Sequence, residues 1–154
     1  MDPRIKNALV RHKQLANTWE KSVGPLLDRI DIQIEVSPIK YEKLGKEEKT
    51  ETSQEIKKRV NQAREIQKQR YKEETIYSNA ALTPKLIEKY CKLDAESKKI
   101  LEIAFEKLGL SARAYGRILK VARTIADLAG SQQIQKNYIA EAIQYRSLDK
   151  KYFK

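Results

Sequence analysis

The chain has 154 residues, the length of about one domain. It carries 32 Lys and Arg against 21 Asp and Glu, a net charge of +11, with 40% apolar residues and one cysteine. A collagen-like chain, a disulfide framework and a Cys-rich zinc site within the chain are excluded, and no apolar run reaches the length needed to cross a bilayer. The start, Met1 to Lys6, lacks the apolar segment of a signal peptide. The composition predicts a soluble, cytoplasmic, helix-rich protein with no membrane partner. A surplus of positive charge favours anionic partners: nucleic acid, nucleotide phosphates or an acidic protein surface.

Residues 1–22 are basic and weakly patterned, and they are left unassigned. Val10, Leu15 and Trp19 share one side of a possible short helix, and His12 and Trp19 read as ordinary packing or surface residues. Gly24-Pro25 breaks the chain. From Ile30 to Val36 apolar and polar residues alternate strictly, which predicts a half-buried strand over about 30–36, ended by Pro38. One strand cannot make a sheet. Either further strands are hidden in the chain, or this one belongs to a sheet supplied by other sequence. Residues 23–42 form that unit. A charged loop over 43–51 follows.

Thr52 and Glu55 have the spacing of a capping box, so a helix starts after Thr52 and runs over about 53–72. Ile56, Val60, Ala63 and Ile66 give it a narrow apolar stripe in a very polar sequence. Such a helix packs on one side only or bridges two parts of an assembly. Residues 43–82 therefore read as loop, linker helix and connection. Thr83-Pro84 starts a short helix over about 84–91. Asp94 caps the next, about 95–108, whose broad apolar face comprises Ile100, Leu101, Ile103, Ala104, Phe105 and Leu108. Gly109 suits its end. Ser111 caps a helix over about 112–129, with Ala114, Tyr115, Ile118, Leu119, Val121, Ala122, Ile125, Ala126 and Leu128 expected mostly buried and Gly130 ending it. A last helix covers about 136–147. Residues 83–148 thus form a four-helix bundle with short turns, and 149–154 are a tail. The expected class is mainly α.

No G-x-x-x-x-G-K-[ST] phosphate loop, G-x-G-x-x-G or H-E-x-x-H occurs. With one His and one Cys, the parts of a self-contained covalent site are missing. Cys91 reads as a packed thiol. The arginines carry more information. Arg29 immediately precedes the expected strand. Arg113 and Arg117 lie four apart on one helix face, with Lys120 nearby. Arg113 falls in the first helical turn, where backbone N–H groups and the helix dipole favour an anion. By spacing alone these side chains are either phosphate contacts or solvated and ion-paired surface.

Five blocks carry a resemblance. They are GPLLDRIDI at 24–32, RVNQAREIQ at 59–67, YSNA at 77–80, LSARAYGRILKVARTIADL at 110–128 and IAEAIQYR at 139–146. In this order they resemble the C-terminal part of magnesium-chelatase-like AAA+ ATPases of the ComM/YifB type. The resemblance implies that the 30–36 strand is the last of an AAA+ core, that the 53–72 helix links core to lid, and that 83–148 is the helical lid. Arg29 is similar to the arginine finger that reaches ATP held by a neighbouring subunit. Arg113 is similar to the sensor-2 arginine that reads the γ-phosphate, with Arg117 as a weaker phosphate contact and Lys120 as a weaker DNA contact. The implied partners are neighbouring subunits of a homo-oligomeric ring and DNA, moved by branch migration in ComM-like members. True chelatases of the family instead insert Mg²⁺ into protoporphyrin. The implied cofactors are ATP and Mg²⁺ in the intact parent, with none bound by this chain alone, since it lacks the phosphate loop. Residues 1–22 depart from the Cys-containing segment of the family, and Gly116 stands where the family more often has Asp. Two other readings stay open: a basic helical module that binds nucleic acid without ATP, and an adaptor that docks on an intact ATPase ring.

Overall fold

The computed structural model describes residues 29–38 and 50–146. The expectations for 1–22, the 24–25 break, the 43–49 part of the charged loop and the 149–154 tail lie outside the described residues. Among the described residues five α-helices follow in order: α1 Ser53–Arg70, α2 Pro84–Tyr90, α3 Ala95–Leu108, α4 Ala112–Leu128 and α5 Lys136–Gln144, with a 3-10 turn at Asn79–Ala81 between α1 and α2. No helix among the described residues is long and apolar enough to cross a membrane.

Local chemistry sets these boundaries. Thr52 and Glu55 form the reciprocal box, the Thr52 N–H donating to Glu55 Oε2 at 2.8 Å and the Glu55 N–H to Thr52 Oγ1 at 3.3 Å. Asp94 accepts from the Ser97 N–H at 2.7 Å, and Ser111 accepts from the Ala114 N–H at 3.1 Å. Each cap satisfies a backbone donor that the helix leaves without a partner. Gly109 ends α3 at φ 53°, and Gly130 follows α4 at φ 68°. A side chain there would be strained, so both stops are built into the sequence.

Helix α4 is the central element. Ile118, Leu119, Ala122 and Ala126 are buried against Leu101 of α3, Ile139 and Ala142 of α5, and Tyr71, Leu82, Cys91 and Ile134 from the connections. A parallel bridge, Leu93 to Ile134, ties the approach to α3 to the approach to α5. The thiol of Cys91 is buried, and burial pushes its pKa up to about 11. It is a packed thiol, kept protonated by its apolar surroundings.

Three expectations are corrected. First, residues 30–36 form no strand and pair with no sheet among the described residues. Ile30, Ile32, Ile34 and Val36 are 41%, 50%, 68% and 84% exposed. Alternation marks a surface able to pack, and nothing within the described chain supplies the sheet. Second, Tyr115 and Leu128 of α4 and Ile103 and Phe105 of α3 are exposed. The Phe105 and Tyr115 rings meet edge to face at 6.5 Å and border a mostly apolar groove of about 520 Å³ between α3 and α4. Third, the α1 stripe is only half used. Ala63 is buried, whereas Ile56 and Val60 are exposed. Helix α1 packs on α4 through its C-terminal half, where polar groups join the buried Ala63.

Candidate functional site

Helix α4 carries three arginines, and the fold gives each a different environment. Arg113 lies in the first turn and is exposed, with no ion pair to any other described residue. The Ser111 cap consumes one N–H of that turn, and no acidic residue occupies it. An Arg at this end opposes the helix dipole. An anion placed against the same turn reverses that cost.

Arg117, one turn later, is engaged. Its Nη1 donates to the Arg29 carbonyl oxygen at 2.7 Å and pairs with the Asp31 carboxylate. Lys120 Nζ donates to the Ala80 carbonyl at 2.9 Å. The structure therefore brings Arg29, Arg113 and Arg117 to one side of the bundle. It connects Arg29 to α4 through its backbone. Lys120 holds the 3-10 turn.

Arg123, at the far end of α4, is 2% exposed and belongs to a buried polar hub centred on Asp127. The Asp127 carboxylate accepts from both Nη atoms of Arg70 on α1, from Arg123 Nε at 3.1 Å and from Asn79 Nδ2 at 2.8 Å. Asn79 spends every side-chain group it has. Its Oδ1 accepts from the Tyr71 hydroxyl at 2.6 Å, and its Nδ2 also donates to Thr124 Oγ1 at 3.0 Å. The Asn79 backbone N–H donates to Gln67 Oε1 at 3.2 Å. Arg123 reaches the Gln132 and Ser131 carbonyls beyond the helix end. Burial pulls both guanidiniums down. For Arg70 the bonds and charge of Asp127 reverse that direction, and for Arg123 burial prevails. Two cations share one carboxylate, and carbonyl oxygens take up the remaining donors.

Sequence reasoning missed the hub. Asp127 and Arg123 are four apart and so visible as an i, i+4 pair, but Arg70 and Asn79 join from 57 and 48 residues away. Asn79 stood in the YSNA block, but its burial, 2% exposed, is shown by the structure alone.

Residues 50–146 match the family described as magnesium chelatase, subunit ChlI C-terminal. The chain belongs to this family. The match takes in the capping box, the hub and all five helices. The chain is also 44% identical over 137 residues to competence protein ComM of Haemophilus influenzae, an alignment that covers 88% of this chain and 26% of that protein. It is 41% identical over 129 residues to the YifB protein of Salmonella typhimurium, 82% of this chain and 24% of that one. An uncharacterized protein of Mycobacterium tuberculosis, Rv2897c, is 30% identical over 126 residues, 82% and 25%. The chain spans about a quarter of the length of the curated relatives it matches.

Among the described residues no three His, Cys, Asp or Glu side chains cluster as metal ligands. Arg113 fits a phosphate oxygen in charge and exposure. The described residues offer nothing comparable for Mg²⁺.

Proposed function

We propose that this chain is the nucleotide-sensing lid region of a magnesium-chelatase-like AAA+ ATPase of the ComM type. In this reading Arg113 contacts the γ-phosphate as sensor 2, and Arg29 is offered as a finger to ATP on a neighbouring subunit. One observation carries it. Of the three arginines on α4, only Arg113 is left exposed without a described partner, at a helix end that favours an anion. Membership of the family supplies the setting.

Bound ATP would supply the phosphoryl group whose negative charge grows during transfer. Arg113 would orient it from the lid, because a guanidinium presents a fixed fork of donors to phosphate oxygens. Arg29 would stabilise the same charge from across a subunit boundary, an effect of about 10³–10⁵ in rate where such a finger is supplied in trans to GTPases. Mg²⁺ ligands and the phosphate loop would come from outside the described residues. DNA as the moved partner, the homo-oligomeric ring and a cytoplasmic location belong to the same proposal.

The test is a chimera in which residues 23–146 replace the matching region of the Haemophilus influenzae ComM protein. Arg113→Ala in that ring is expected to lower ATP turnover with the melting temperature unchanged. Unchanged turnover refutes the sensor role. Arg29→Ala rings mixed with phosphate-loop mutant rings are expected to regain activity, and no rescue refutes the finger.

A second reading has its own observation. Lys57, Arg64 and Lys68 fall on one exposed line of α1 that flanks the buried Ala63–Gln67 face. Such a line suits a phosphate backbone. Binding of duplex DNA by the 154-residue chain, weakening steeply with salt, would favour direct nucleic-acid recognition.

A further inference from the structure

Segment 29–33 lies against the bundle with Ile30 and Ile32 only half covered. Exposure of its alternating apolar side chains climbs from 41% at Ile30 to 84% at Val36. Polar groups of α4 and the end of α5 bond to it directly. Arg117 Nη1 donates to the Arg29 carbonyl at 2.7 Å and pairs with Asp31. Arg146, 3% exposed just past α5, donates from Nη1 to the Ile30 carbonyl at 2.6 Å. The Gln33 N–H donates to the Tyr145 carbonyl at 2.9 Å. Three consecutive residues, 29 to 31, are thus gripped by two arginines of the bundle.

We propose that Arg117 and Arg146 are positioning residues that make Arg29 travel with the helix carrying Arg113. This rests on the finger and sensor roles proposed above. Arg113 and Arg117 are one turn apart on α4, a helix with a continuous backbone. A rotation of α4 as Arg113 engages or releases a phosphate is passed by Arg117 to the Arg29 carbonyl. The state of one ATP site then sets where the finger for the adjacent site is held. A guanidinium suits this role because its planar fork fixes direction as well as distance. Arg117 therefore acts through Arg29.

The experiment uses the chimeric ring with R29A, R117A and R117K. R117A is expected to lower kcat about 10²-fold, the scale of a displacement of about 1 Å at a reacting group. The KM for ATP stays near the wild-type value, and cooperativity in ATP is lost. R117K recovers part of both, because an ammonium still reaches Asp31 or the Arg29 carbonyl. In the 154-residue chain, R117A should speed amide exchange at Gln33 about tenfold or more, leaving Leu119 protected as evidence of an intact bundle. If R29A leaves turnover unchanged, the finger reading falls and the inference with it. If R29A abolishes turnover while R117A keeps wild-type kcat and cooperativity, this inference alone is overturned. Unchanged exchange at Gln33 in R117A also overturns it.

Discussion

The two ends of α4 place the same residue type in opposite surroundings. At its C-terminal end Arg123 is buried, shares Asp127 with Arg70 and reaches two carbonyls beyond the helix. At its N-terminal end Arg113 is exposed, and Arg117 reaches out to a segment almost 90 residues earlier in the chain. Helical spacing places all three side chains. Burial and partners decide which of them are locked into the fold and which stay exposed.

The sharpest way to break this contrast is Asp127→Ala. It would leave the buried guanidinium of Arg123 and the part-buried one of Arg70 without their carboxylate, and the expected loss is about 3–5 kcal/mol, read from urea unfolding. A loss below about 1 kcal/mol would mean the hub relaxes onto water and carbonyls, and that the two ends of α4 are alike.

Next in size is the chemistry of Cys91, which packs beside the hub end. Burial raises its thiol pKa to about 11, so thiolate is scarce in the folded chain at pH 8. Alkylation should run about 10²-fold slower than in the denatured chain. The same shift has a definite sign for stability. As pH rises from the unfolded thiol's range toward 11, the unfolded state loses its proton first, so stability falls across that window. A native rate equal to the denatured one would show that the core opens freely.

A smaller effect is expected at Gly116, between the two ends. A Cβ built there meets only Ile87 Cδ1, at 3.6 Å, an ordinary contact. Gly116→Ala should therefore raise stability by about 1 kcal/mol, as for a glycine inside a helix. A loss instead would reveal a close approach to α2. The smallest effect belongs to Arg113→Ala, within about 0.5 kcal/mol in thermal or chemical unfolding, as for an exposed side chain away from structural features. A larger cost would place Arg113 with Arg123 as a structural cation.

Much of this fold was legible because its boundaries are local. Thr52, Asp94, Ser111, Gly109 and Gly130 act on backbone groups within a few residues, and a sequence displays such neighbours directly. The hub was not legible, since it joins Gln67, Arg70, Asn79 and Asp127 from three separate elements. Helix α1 misled for the same reason. Its apolar stripe suggested Ile56 and Val60 as contacts, whereas Gln67 and Arg70 make the polar part of the junction. The 30–36 alternation reported a surface fit for packing but could not name what would pack on it. At the site, the pairing of Arg113 and Arg117 was visible as an interval of four. That one would stay exposed and the other would grip Arg29 depended on where a distant segment came to lie.

The Asp127 hub also bears on how the molecule opens. Helices α2 to α5 are joined by short turns and share an apolar centre, so they form by closing small loops. Helix α1 is joined to α4 across 57 residues through charged and amide groups. When α1 swings away, water reaches Asp127, Arg70 and Arg123 and returns much of their hydration. Detachment of α1 is then expected to cost less than melting the bundle, as a separate opening unit whose amides exchange first. In the linker position that the family likeness implies for α1, the bundle would keep its own shape each time that arm lets go.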